Sequence, residues 1–127
     1  AGLTISNART TAVHSVSYPI TVFYGVSHGL ACSLLLPSMI RFNSGSMPKD
    51  KEERLLEALG CSSMPQLAEL VERLQAELEL PNRLGDVGIG IGEVSKIIEN
   101  GFRPDRVANN PRKLTVGDLT KLLEAIL

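Results

Sequence analysis

His14 and His28 are the two histidines of this 127-residue chain, and both fall within residues 13–37, a segment reading VHSVSYPITVFYGVSHGLACSLLLP. An imidazole can donate a lone pair to a divalent transition metal, so this pair has the residue type that metal chemistry needs. Tyr18 stands four positions after His14 and shares its face if the segment is helical. Its phenol can hydrogen-bond a substrate oxygen or a water. Two protein ligands fall short of a catalytic metal centre, which usually has three and an open position. On residue types alone, two hydrogen-bonded core histidines are the commoner account.

The elements that must carry these groups read as helices. Residues 3–17 hold Leu3, Ala8, Ala12 and Val16 at spacings near four, which predicts a buried helix. Pro19 restricts Tyr18 to extended backbone, so this helix is expected to bend or end there, with a turn at Gly25. Residues 28–42 predict a second helix, apolar on most sides and therefore buried. A loop over residues 43–48 precedes a charged helix from Lys49 to Leu59, stopped by Gly60. Ser63 is placed to cap the next helix, running to about Glu79, with Leu67, Leu70, Val71, Leu74 and Leu78 as its inward stripe. A Gly-rich connection over 81–92 leads to a short helix from Glu93 to Asn100, closed by Gly101. Thr115 caps a final helix through Leu127, with Leu119, Leu122, Leu123 and Ile126 on one face. No segment predicts a strand, so the expected fold is a single all-α, bundle-like domain over residues 1–127.

The residues carry a resemblance to the iron-containing (group III) alcohol dehydrogenase family. Asn7-Ala8, His14, Tyr18-Pro19, Phe23-Tyr24-Gly25 and His28-Gly29-Leu30-Ala31 follow its order, as do Leu80-Pro81-Asn82-Arg83-Leu84 and Asn109-Asn110-Pro111-Arg112. The family motif H-x3-H-x9-H-G places two metal-binding histidines fourteen positions apart, as His14 and His28 are. The resemblance implies that these two are ligands of Fe(II) or Zn(II). It further implies an Asp and another His from a region upstream, together with an α/β domain that binds NAD or NADP, so that this chain reads as a C-terminal portion. Tyr18 stands where many members have the middle histidine; its implied role is catalytic, on the substrate or proton side, with Phe23 beside it in the cleft wall. The implied reaction is hydride transfer between a small alcohol and its aldehyde or ketone, in an enzyme that is often a dimer or another homo-oligomer. The isolated chain is expected to be inactive. The rival expectation is a free-standing helical interaction domain that has lost the chemistry.

Composition narrows the remaining classes. A net charge of −1 with mixed signs lacks the basic stripe of a nucleic-acid-binding surface. The longest apolar stretch, residues 29–40, is interrupted by Pro37 and too short to span a bilayer. Cys32 and Cys61 lack CxxC spacing and read as reduced thiols, Cys32 as a small core residue, which fits a cytoplasmic protein. Gly88 to Gly92 imitates a dinucleotide fingerprint, but Glu93 stands where the last glycine belongs and no strand precedes it. It reads as a flexible connection. Arg83, Arg112 and Lys113 read as solvated surface charges.

Overall fold

The computed structural model describes Leu3 and residues 10–127. Among these residues every regular element is helical, as the sequence predicts. The helices are α1 (Ala12–Tyr24), α2 (His28–Phe42), α3 (Lys49–Ala58), α4 (Met64–Glu77), α5 (Val94–Gly101), α6 (Pro104–Val107) and α7 (Val116–Glu124), with 3-10 turns at Gly85–Val87 and Ile91–Glu93. The expected stretch over residues 4–9 lies outside the described residues. No described helix is long and apolar enough to cross a membrane.

α1 corrects the expectation drawn from Pro19. The helix does not end there but continues to Gly25, whose φ of 68° lets its N–H close on the Thr21 carbonyl. A proline inside a helix deletes one hydrogen bond and crowds the preceding turn, at a cost of about 3 kcal/mol. Burial offsets that cost, because Val16 and Ile20 are fully enclosed and Pro19 itself is buried. The turn before the proline is engaged from outside: the Ser15 hydroxyl donates to the Gly101 carbonyl. A Cβ on Gly101 would lie 3.1 Å from both Pro19 Cγ and Val16 Cα. Gly101 therefore lets α5 meet α1 at backbone distance; it is the last residue of α5 and not a left-handed stop after it.

α2 lies between α1 and α4 and unites two apolar clusters. The larger contains Val16, Ile20, Ala31, Leu34, Leu84, Ile89, Ile97, Leu119 and Leu123. The smaller is Leu56, Met64 and Leu67, with Ile40, Met47, Cys61 and Leu70 against it. α4 is rotated from the expected stripe: Leu74 and Leu78 face solvent, while Ala68 and Gln75 are buried. The Gln75 amide donates to the carbonyl and the hydroxyl of Ser33 on α2, so a hydrogen-bonding demand from α2 sets the rotation. On the same side, α4 also meets α2 through a bidentate Arg41–Glu72 pair at 2.6 and 2.7 Å.

The Gly-rich connection is firmly held. Leu84 and Ile89 are fully buried, the Leu84 N–H donates to the Ile126 carbonyl, and Arg83 Nη1 donates to the Leu127 carbonyl. The expectation of a loose connection fails because these two side chains complete the main core. Arg112 is exposed, as expected of a surface charge, and it also donates to the Phe42 carbonyl and lies over the Phe42 ring. Asn43 and Asn110 exchange hydrogen bonds through their amides, tying the end of α2 to the segment after α6. Thr115 and Asp118 form the capping box of α7, and the Thr115 hydroxyl and N–H hold the Asp118 carboxyl below its usual range. Tyr24 donates to Glu93, and burial followed by this bond pushes its phenol up to about 12.

Candidate metal centre

α1 and α2 are packed neighbours joined by the turn at Gly25, and the start of α2 lies beside the first half of α1, where His28 meets His14, Ser17 and Tyr18. His28 is the first residue of α2, and His14 lies in the first turn of α1. Their ring centroids are 5.5 Å apart. Tyr18, one turn on from His14, stacks on His28 with centroids 5.4 Å apart and planes 26° apart. The three residues singled out in the sequence thus meet at one place, half-open to solvent, with His28 and Tyr18 exposed and His14 partly covered.

Cys32 joins them. One donor atom from each of His14, His28 and Cys32 lies within 4.8 Å of the other two. Cys32 Sγ is 3.7 Å from His28 Nε2, the two residues being one turn apart on α2. By residue type alone Cys32 reads as a small core residue. Its four-residue spacing from His28 was the available signal, but that it faces α1 only the assembled pair reveals. Two imidazoles and a thiol in such proximity are a donor set suited to a divalent transition ion.

Beneath the cluster sits Ser17, fully buried. Its hydroxyl donates to the His14 carbonyl at 2.9 Å, which uses its single proton. The oxygen lone pairs then face His28 Nδ1 at 3.4 Å and the Cys32 thiol at 3.3 Å. Accepting from Nδ1–H leaves the Nε2 lone pair of His28 free to bind, which is the usual way an outer hydrogen bond orients a ligating histidine. Ser17 went unnoticed in the sequence, where a serine in a helix carries no mark of its role.

Beyond Tyr18 a cavity of about 360 Å³ is lined by Ser15, Tyr18, Asn100, Arg103 and Arg106. The Arg106 guanidinium lies 4.9 Å from the Tyr18 ring centroid, on the ring face, so the aromatic is held between a cation and an imidazole. Phe23 does not line this cavity; it is occupied with Tyr24 and the Lys96 ammonium.

All of residues 1–127 match the family described as "Fe-containing alcohol dehydrogenase family, C-terminal". Lactaldehyde reductase of Escherichia coli (strain K12) is 25% identical over 130 residues, covering 96% of this chain and 34% of the relative. The 1,3-propanediol dehydrogenase of Citrobacter freundii is 29% identical over 120 residues, covering 89% and 31%. Among solved structures, an alcohol dehydrogenase from Oenococcus oeni superimposes with a TM-score of 0.83 at 25% identity, over 99% of this chain and 35% of its own. The chain spans about a third of the length of these relatives. It belongs to the Fe-containing alcohol dehydrogenase family, and its all-helical architecture is that of the family's C-terminal domain.

Proposed function

We propose that this chain supplies His14 and His28 to the divalent metal site of an NAD(P)-dependent alcohol dehydrogenase that interconverts a small alcohol and its aldehyde or ketone. The observation that carries this reading is the convergence of the two imidazoles, 5.5 Å apart, from separate helices at one solvent-accessible place. A divalent ion held there would polarise the substrate oxygen as a Lewis acid. Ser17 fixes the orientation of the His28 ring. The Tyr18 hydroxyl is placed to hold a substrate oxygen or a water by hydrogen bonding, its ring locked between Arg106 and His28. The nucleotide is bound by an α/β domain outside this chain, because nothing among the described residues forms a strand followed by a glycine-rich turn. The 127 residues alone are therefore inactive, and the complete enzyme works in the cytoplasm, as a homo-oligomer.

Calorimetric titration of the purified chain with Zn(II) and with Fe(II) under anaerobic conditions tests the reading. Saturable binding at one site is expected, lost in His14→Ala and in His28→Ala, with no NAD(P)-linked oxidation of small alcohols. Binding that survives both substitutions would remove the two histidines from the metal site. Turnover by the isolated chain would overturn its dependence on a separate nucleotide domain.

A further inference from the structure

We propose that the alcohol or aldehyde handled at this site carries an oxyanion group, a carboxylate or a phosphate, and that Arg103 and Arg106 bind that group in the cavity beside Tyr18. The proposal rests on the alcohol dehydrogenase reading of the metal centre and adds to it the chemical class of the substrate.

The lining of the cavity is the first support. Ser15, Tyr18, Asn100, Arg103 and Arg106 surround about 360 Å³, and of these residues two are cations and none is an anion. Glu99 and Asp105, the acidic neighbours in sequence, are not among them. A small recess lined by one sign of charge concentrates ligands of the opposite sign. The wall is also fixed in place. The Ser15 hydroxyl donates to the Gly101 carbonyl, and Asn100 Nδ2 donates one proton to the Lys96 carbonyl while keeping the other.

The state of the two arginines is the second support. Arg41 is spent on Glu72, Arg83 on the Leu127 carbonyl and Arg112 on the Phe42 carbonyl. Among the described residues, neither Arg103 nor Arg106 forms an ion pair or donates a hydrogen bond from its side chain. Arg106 is nevertheless positioned, being partly buried with its guanidinium 4.9 Å from the Tyr18 ring centroid, on the ring face. Contact with a ring engages the charge and leaves N–H donors for the paired oxygens of a carboxylate or phosphate.

Placement is the third support. Tyr18 belongs to both places, since its ring stacks on His28 with centroids 5.4 Å apart and also lines the cavity. A substrate whose reacting oxygen lies at the metal centre can run past Tyr18 and present its far end to the arginines, and a short molecule spans that distance. Holding the far end turns the same carbon toward the hydride donor every time, which is how binding remote from the reacting atoms is converted into orientation.

The test uses the complete enzyme with its nucleotide domain. NAD(P)H oxidation is followed with butanal against succinic semialdehyde, which adds a terminal carboxylate, and with glycolaldehyde against glycolaldehyde phosphate. The charged member of at least one pair should have the higher kcat/KM by about tenfold or more, the worth of a charge-assisted hydrogen bond, and the pair that responds tells carboxylate from phosphate. Arg103→Gln and Arg106→Gln should each shrink that ratio by about tenfold, chiefly through KM, with Arg106→Lys restoring part of it. A general structural defect would lower both members of a pair alike and leave the ratio where it was. A ratio that neither arginine variant moves would make both residues plain surface charges and overturn the proposal. An unmoved ratio with a raised KM for the nucleotide would assign the cations to the nucleotide's phosphates, and would overturn it too. If the enzyme reduces no aldehyde of either kind, arginine modification by phenylglyoxal, mapped by mass spectrometry, decides separately. Succinate or inorganic phosphate should slow the modification of Arg103 and Arg106 but not that of the exposed Arg54 on α3. Such protection would keep the anion site while the dehydrogenase reading falls; its absence would remove both.

Discussion

The α1–α2 pair and the α3–α4 pair are both consecutive helices, yet they are held in opposite ways: α1 packs along α2, whereas α4 packs on α2 and scarcely on α3. From Ala12 to Phe42, Arg41 is the only Lys, Arg, Asp or Glu. Small and apolar side chains let α1 and α2 approach closely; of the hydroxyls that α1 buries, Ser15 is satisfied by Gly101 and Ser17 by His14, while Thr21 Oγ1 has no partner among the described residues. α3 and α4 carry charges over their exposed faces and share only a small apolar cluster around Leu56, Met64 and Leu67. The difference teaches where a site can be built. Donor atoms can be fixed to a fraction of an ångström only on elements whose own positions are fixed by packing, and here those are α1 and α2.

Deleting side chains from each cluster is the strongest way to break this comparison. Ile20→Ala, in the large core, should cost about 4 kcal/mol, within the range of 2–5 for buried aliphatic truncations. Leu67→Ala, in the small cluster, should lie near the bottom of that range, since a loosely enclosed site can relax around the gap. Urea denaturation of the two variants measures the gap, and equal losses would mean that the two clusters are stabilised alike.

Gly101→Ala probes the site side by adding an atom where none fits. The new Cβ would meet backbone at Val16 and the ring of Pro19, so a loss of about 1–3 kcal/mol is expected, as for overpacking. The same variant should move α1 enough to weaken Zn(II) binding, which α3–α4 substitutions should leave alone. Unchanged stability would show that α5 can withdraw freely from α1.

The smallest effect belongs to the Arg41–Glu72 pair. Its hydrogen bond with Arg41 holds the Glu72 carboxyl below the usual carboxylate range. Because the folded value is depressed, the stabilisation is present above the ordinary carboxylate pKa and disappears as pH falls through the folded one. Both side chains are about two-fifths exposed, so about 0.2–1 kcal/mol is expected. The melting temperature of Glu72→Gln should differ from that of the parent at neutral pH and converge with it in acid. A constant offset would assign the effect to something other than this charge.

Much of this was legible in the residues. Gly25, Ser63 and Thr115 act as the stop and the caps that their types and positions imply. His14 and Tyr18 share a face, and the resemblance paired His14 with His28. What stayed hidden depends on neighbours. Pro19 obeys a local rule until burial outweighs it. The apolar residues of α4 fit two overlapping stripes, and only the Ser33–Gln75 bonds choose between them. Gly101 looks like a helix stop because its contact partners lie far away in the chain. Cys32 is indistinguishable from core until the angle between α1 and α2 turns it toward His28.

The reciprocal amide bonds of Asn43 and Asn110 carry no net charge. Dissolved electrolyte screens attractions between exposed ions and leaves neutral contacts of this kind nearly untouched. Adding salt should therefore slacken the molecule in a fixed order, first where Arg41 grips Glu72, while the loop fastened by the two asparagines stays shut.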